Sequence, residues 1–304
     1  MTVGGLFSGI GGIEKGFEQA GFTIKYGLEL NKYAVKTLKH NVSYTVYEED
    51  ITKVEYLPKV DILVGGFPCQ AFSIAGLKKG FEDPRGKLFF EILRIIDIVN
   101  PEIIFLENIK NILYIDKGRT LENILHLLAE KGFYVQYKNL NSKDYGGVPQ
   151  NRDRVYFVGF KDKKKYIDFC FPNKIERKSL IDILDKTTED KYYINNMKIY
   201  PYAKEFIKEK FIPYRKGYGL KLETIKSCKC SPALVTAGGG GSVHILRDDK
   251  DIRKLTPEEG LRLQANDDLK FPEDISLTQR YNMIGNSVTV SVVRRIAENI
   301  KKIL

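Results

Sequence analysis

Asp61-Ile62-Leu63-Val64-Gly65-Gly66-Phe67-Pro68-Cys69-Gln70 opens as an apolar run, stops at two glycines, turns through a proline and presents a cysteine. A short, continuous apolar run bounded by turn residues reads as a buried strand, the kind found in parallel sheets covered on both faces. Outward from it the chain alternates. Thr2 to Phe7 reads as a strand, Ser8-Gly9-Ile10-Gly11-Gly12 as a glycine-rich turn and Ile13 to Gln19 as an amphipathic helix. Ile24 to Leu30 follows as a strand with Glu29 at its carboxyl end, and Asp50-Ile51 ends a third strand-like piece. Lys87 to Val99 carries Leu88, Ile92, Ile95, Ile96 and Val99 at helical spacing. Glu102 to Leu106 is a buried strand with Glu107-Asn108-Ile109 at its end; a helix near Thr120 to Glu130 and strands at Tyr134 to Leu140 and Val155 to Phe160 complete the pattern. Strands alternating with helices predict an α/β fold built on a mostly parallel sheet.

From about Pro172 the pattern dissolves into short pieces rich in tyrosine and lysine, including Gly238-Gly239-Gly240-Gly241. Order returns at Arg253-Lys254-Leu255-Thr256-Pro257, where Thr256 can cap a helix opened by Pro257, and a last amphipathic helix spans Val288 to Ile303. The expected division is a regular α/β domain over 1–175, completed by 277–304, and a smaller irregular domain over 176–276.

The 304 residues are 43% hydrophobic, enough for a sizeable core. No apolar run reaches the roughly 18 residues that a bilayer crossing needs, and Met1 leads straight into strand-like sequence, so a cytoplasmic location is expected. Four cysteines and three histidines are too scattered for a disulfide framework or a zinc site, and no metal is expected. A formal charge of +10 favours an anionic partner, because each cation set on a phosphate releases a counterion. The lysines at 161 and 163 to 165 read as a solvated turn.

In an open parallel sheet, ligands bind outside the carboxyl ends of the strands. That edge collects the glycine turn, Glu29, Asp50, Cys69 and Glu107. Asp50 by itself reads as a solvated turn acid. Glu29, twenty positions after Gly9, stands where a ribose-binding acid belongs, although the glycine spacing lacks the third glycine of the dinucleotide fingerprint. Isolated cysteines are usually inert core, but Cys69 follows Phe67-Pro68 in an exposed turn and reads as a nucleophile. Arg152 and Arg154 are candidate cations to lower its pKa, with surface ion pairing as the alternative. Glu107 ends an apolar strand, so it either has a partner or is held protonated as a donor. A soft nucleophile beside a carboxylic acid suits addition to an electron-poor ring.

Six ordered motifs, Leu6-Phe7-Ser8-Gly9-Ile10-Gly11-Gly12, Gly66-Phe67-Pro68-Cys69-Gln70, Glu107-Asn108-Ile109, Gln150-Asn151-Arg152-Asp153-Arg154, Arg253-Lys254-Leu255-Thr256 and Gly285-Asn286-Ser287-Val288, resemble the set of DNA (cytosine-5) methyltransferases of the prokaryotic or phage modification type. The resemblance implies a Rossmann-like methyltransferase sheet and methylation of carbon 5 of a cytosine flipped out of duplex DNA, a manoeuvre methyltransferases share with other enzymes that act on bases. It makes Cys69 the nucleophile on carbon 6, Glu107 the partner of the ring nitrogen and amine, Arg154 the holder of the base carbonyl and Arg152 an electrostatic support. It implies S-adenosyl-L-methionine as cofactor, against Phe7, Ser8, Gly9, Gly11 and Gly12, with Glu29 on the ribose, Leu30, Asp50 and Ile51 at the adenine, and Pro68 near the amino-acid part. Leu88, Asn286, Ser287 and Val288 would line the pocket.

Double-stranded DNA is the implied partner, with Gln70, Ser73, Ala233, Leu234, Gly238 and Gly239 as candidate contacts and the segment from Ser73 to Gly86 as a closing loop. A monomer is expected, with a restriction endonuclease as a separately acting companion. Gly5, Leu30 and Ala233 depart from the family pattern, which places an acid, an aromatic residue and a threonine there. The rival readings are a transfer-RNA methyltransferase of the same family, a nicotinamide-dependent oxidoreductase suggested by the glycine turn and Glu29, and a catalytically silent DNA-binding module.

Overall fold

A computed structural model describes residues 1–67, 87–216, 222–223, 230–236 and 244–304. The chain forms two compact units, one of Met1–Leu140, Asp153–Pro172 and Val292–Leu304, the other of Asn141–Arg152 and Asn173–Ser291. The second unit thus includes Asn141–Arg152 and the stretch from Leu277 to Ser291, which the sequence-based division assigned to the regular α/β domain.

The first unit is built on a seven-stranded sheet of β1 (Thr2–Leu6), β2 (Thr23–Glu29), β3 (Thr45–Glu48), β4 (Ile62–Gly66), β5 (Ile103–Ile109), β6 (Tyr134–Asn141) and β8 (Asp153–Phe160), in the order β3-β2-β1-β4-β5-β8-β6. Strands β1 to β5 pair in parallel, as the alternation of strands with helices predicts, whereas β8 runs antiparallel to β5. The chain leaves β1 for one side of the sheet and returns through β4 on the other. The carboxyl ends of these two neighbours therefore flank the crevice where such sheets bind ligands.

Alternation along β5 sorts its side chains between two layers. Ile104 and Leu106 belong to a core with Phe89, Ile92 and Ile96 of the helix Lys87–Val99 and Ile124 and Leu128 of the helix Arg119–Glu130. Phe105 points to the opposite face, its ring 5.2 Å from Phe17 of the helix Gly12–Gln19 and 5.8 Å from Tyr156. Both faces are covered.

The region expected to be irregular contains a small antiparallel sheet, its strands Leu222–Glu223, Tyr214–Lys216, His244–Arg247 and Ile252–Lys254 lying side by side in that order. Ile194, Ile199, Ala203, Tyr214, Ile245 and Ile252 give it its own core. Thr256 caps the helix Pro257–Leu263 as anticipated, reciprocally with Glu259, which also holds the buried Arg253 at 2.8 Å.

Candidate active site

The turn after β1 is bent by three residues in the left-handed region, Phe7 (φ 53°), Gly9 (φ 56°) and Gly11 (φ 80°). At Gly9 a side chain would meet no atom within 4 Å, so this backbone faces open space. Its N–H donates to Oε2 of Glu29 at 2.8 Å, while Oε1 accepts from the N–H groups of Leu30 and Asn31 at 3.0 and 2.8 Å. The carboxylate at the end of β2 is thereby fixed beside the glycine turn. Leu30 is 62% exposed. Phe7 packs on the same core as Ile51 and Leu88, so three of the candidate cofactor residues share one cluster.

Asp50 caps a single turn, Ile51–Lys53, rather than ending a strand. Its Oδ1 accepts the Thr52 N–H at 3.0 Å and the Thr52 hydroxyl at 2.9 Å. Those bonds hold its carboxyl below the ordinary value. An open glycine turn, an anchored carboxylate and exposed or half-buried apolar side chains fit the ribose and adenine of an adenosyl cofactor.

Beneath the turn lies a buried carboxyl that the sequence analysis passed over. Glu14, in the first turn of the helix Gly12–Gln19, is 1% exposed, and its Oε1 would lie 1.8 Å from a side-chain carbon at Gly5. The missing side chain of Gly5 is what makes room for it. Burial pushes this carboxyl up to about 7, with the nearby Glu29 charge adding to the effect.

Strand β5 continues through Glu107, Asn108 and Ile109 because β8 pairs with it along its whole length, from Ile103 opposite Phe160 to Ile109 opposite Arg154. Glu107 therefore stands inside the sheet, between Gly66 of β4 and Tyr156 of β8. Arg154 lies diagonally across on the same face, and its Nε meets Oε1 of Glu107 at 2.9 Å. Of the two options for Glu107, the structure shows the partnered one. Asn108 points to the other face and donates from Nδ2 to the Phe67 carbonyl at 3.0 Å. That bond ties β5 to the residue just before Pro68-Cys69; the Asn108 signal was present in the motif but had been given no task.

Arg152 and Arg154 part company. The chain breaks its strand at Arg152, between β7 (Gln150–Asn151) and β8, so the two side chains do not act as a pair. Arg152 is 1% exposed and donates to the carbonyls of Leu234, Gly285 and Ser287 at 2.6, 3.1 and 2.5 Å, all within the second unit. Gln150, also buried, accepts the Leu234 N–H at 3.0 Å and donates to the Leu263 carbonyl at 2.7 Å. Leu234 is thus held at both its N–H and its carbonyl, and its side chain is buried. That places it in the packing of this unit rather than on a surface open to bases, while Ala233 beside it is half-buried. Gly285 allows close approach here: a side chain would sit 2.4 Å from the Val235 carbonyl carbon. Asn286 is exposed, whereas Ser287 and Val288 are buried. Pro68, Cys69, Gln70, Ser73, the rest of the expected closing loop, Gly238 and Gly239 lie outside the described residues.

The C-5 cytosine-specific DNA methylase family matches residues 1–302. The Type II methyltransferase M.Bsp6I of Bacillus sp. (strain RFL6) is 39% identical, over 99% of this chain and 99% of that protein. The Type II methyltransferase M.NlaX of Neisseria lactamica is 40% identical, over 98% and 96%. Among solved structures, the DNMT2 protein of Spodoptera frugiperda superposes with a TM-score of 0.74 at 22% identity, covering 99% of both chains, which bears on the fold alone. With the family matched end to end and the Rossmann-like sheet in place, the chain belongs to the C-5 cytosine-specific DNA methylases.

Proposed function

We propose that this protein methylates carbon 5 of a cytosine within a specific sequence of double-stranded DNA, using S-adenosyl-L-methionine and a transient bond to Cys69. The observation that carries the reading is the Glu107–Arg154 pair on one face of the sheet, one strand away from Gly66, the residue that in sequence leads into Phe67-Pro68-Cys69. In this mechanism the Cys69 thiolate adds to carbon 6 of the flipped base. Glu107, paired with Arg154 before the base arrives, takes up a proton from solvent as the base enters and holds it at ring nitrogen 3, so the electrons pushed onto the ring leave carbon 5 nucleophilic, and Arg154 donates to the carbonyl at carbon 2 while fixing the Glu107 carboxyl. Once carbon 5 is substituted, a water-sized base takes its proton and the thiolate leaves carbon 6, which returns the enzyme unchanged. Asn108 sets the approach of Cys69 through the Phe67 carbonyl, so it is a positioning residue. Arg152 and Gln150 act at a further remove, by holding the backbone at Leu234 that leads into the glycine run.

When bound, the cofactor supplies an electrophilic methyl group. Glu29 would hold its ribose, Phe7 and Ile51 its adenine, and the Gly9 backbone would lie along it. The +10 charge suits a phosphate backbone as partner. Identity of 39 to 40% to two Type II methyltransferases weighs for DNA over transfer RNA. In such a setting the protein works as a cytoplasmic monomer beside a separate endonuclease of the same specificity. Among the described residues no helix is long and apolar enough to cross a membrane.

The test is a trap. Duplex DNA carrying 5-fluorocytosine at the target, which bisulfite sequencing of DNA from a methylation-free expression host would identify, is expected to become covalently attached to the protein in the presence of S-adenosylmethionine. Cys69→Ala should form no adduct. Adduct with the variant, or none with the unaltered protein on its own methylated sequence, would refute the mechanism; adduct with transfer RNA instead would transfer the reading to the RNA-directed branch.

A further inference from the structure

Arg94 lies on the helix Lys87–Val99, the helix that also carries Leu88. Its whole guanidinium fork is engaged. Nε meets Oε2 of Glu91 at 2.6 Å, Nη1 donates to the Val54 carbonyl at 2.5 Å and Nη2 to the Ile51 carbonyl at 2.6 Å. These two carbonyls bracket the single turn Ile51–Lys53 that Asp50 caps, and such a short turn makes too few internal bonds to hold its own position. Within it, the Ile51 carbonyl also accepts the Val54 N–H at a long 3.3 Å. A planar cation with fixed donors is suited to hold two carbonyls at once, which a lysine ammonium is not. Glu91, one turn earlier on the helix, fixes the fork from behind.

We infer that Arg94 is a positioning residue for cofactor binding: it clamps the Asp50–Val54 turn to the helix bearing Leu88 and so sets the slot in which an adenine ring is received. The inference rests on the proposed placement of Asp50 and Ile51 at the adenine. Phe7, Ile51 and Leu88 pack on one core, so a turn released from Arg94 moves one wall of that slot relative to the others. The clamp engages Glu91 and the Ile51 and Val54 carbonyls, and the Glu107–Arg154 pair is a separate contact. Loss of the clamp should appear in cofactor affinity and not in the turnover of the saturated enzyme.

The experiment is isothermal titration of the full chain with S-adenosylmethionine, run on Arg94→Met, Arg94→Lys and Asp50→Ala, with thermal melting without ligand to show that each variant is folded. Arg94→Met is expected to raise the cofactor Kd about tenfold, on the order of one charge-assisted hydrogen bond's effect on the ordering of the turn. Arg94→Lys should fall between it and the unaltered protein. The kcat at saturating cofactor and the KM for DNA should stay within about twofold. Weakening by both Arg94→Met and Asp50→Ala supports the clamp. Weakening by Arg94→Met alone also supports it, acting through Ile51. If Asp50→Ala weakens binding and the folded Arg94 variants do not, the clamp is overturned while the adenine-side reading stands. If none of the three weakens it, both fall together.

Discussion

Replacing Glu14 by glutamine should stabilise this protein at alkaline pH and leave it nearly unchanged in acid. Glu14 is 1% exposed, and burial lifts its carboxyl from the ordinary 4.5 to about 7 in the folded chain. Below about pH 4.5 the group is protonated in both the folded and the unfolded states and has no effect on their balance. Between 4.5 and 7 the unfolded chain has released this proton while the folded chain still holds it, so stability falls as pH rises. Above about 7 both states are ionised and the loss is complete. At about 1.4 kcal/mol per pH unit the full loss is about 3 kcal/mol. Glutamine cannot ionise and fills nearly the same volume against Gly5, so it should lack this slope. Urea denaturation of both proteins at intervals from pH 4 to pH 8, with the unfolding monitored by two probes, gives the difference directly. The variant should gain on the parent by about 3 kcal/mol across that range, with most of the change between pH 5 and 7. A difference that stays flat within about 0.5 kcal/mol would refute the reasoning, because the Glu14 carboxyl would then be solvated or paired in the folded state.

Other substitutions separate the roles of neighbouring groups. Asn108→Ala should cost only about 1 kcal/mol of stability, the usual worth of one hydrogen bond, yet slow formation of the 5-fluorocytosine adduct more than tenfold at unchanged cofactor affinity; an adduct rate within twofold of the parent would remove Asn108 from the positioning of Cys69. Arg152→Met leaves three buried carbonyls without their charged donor and should destabilise the protein by at least about 3 kcal/mol in urea, with Arg152→Lys recovering only part. Gly285→Ala forces a methyl carbon against the Val235 backbone and should lower stability by roughly 1 to 3 kcal/mol, the usual cost of overpacking, and weaken duplex binding in a gel-shift titration. Unaltered stability in Gly285→Ala would show that this close approach is absent in solution.

The central strands of the sheet were legible because β1, β4 and β5 are buried on both faces, and such strands announce themselves as apolar runs between glycines and helices. Ile62–Gly66 and the helix Lys87–Val99 fall where the sequence places them, within a residue. The strand ending at Leu106 was extended by a partner some fifty residues away: β8 pairs as far as Ile109, and pairing at that distance overrides local pattern. The small sheet of the second unit was missed for a different reason. Its strands are two to four residues long, too short for alternation to be recognised, and they are stabilised by one another and by the core around Ile245 and Ile252.

The candidate site was legible in its residue types and less so in its geometry. Motif order supplied Glu107, Arg152 and Arg154, and a period of two would set both arginines on one side of a single strand. What separates them is the break in the strand at Arg152, a backbone event that no side-chain pattern reports. The consequence is a division of labour along five residues: Gln150 and Arg152 grip the backbone at Leu234, and Arg154 reaches Glu107. Alternation on β5 divides its functions in the same way. Glu107 is presented on one face to Arg154, and Asn108, on the other, holds the carbonyl that precedes Pro68. Two adjacent residues of one strand can then serve the acid and the nucleophile separately, so a perturbation of Asn108 should alter the rate of adduct formation without disturbing the Glu107–Arg154 pair.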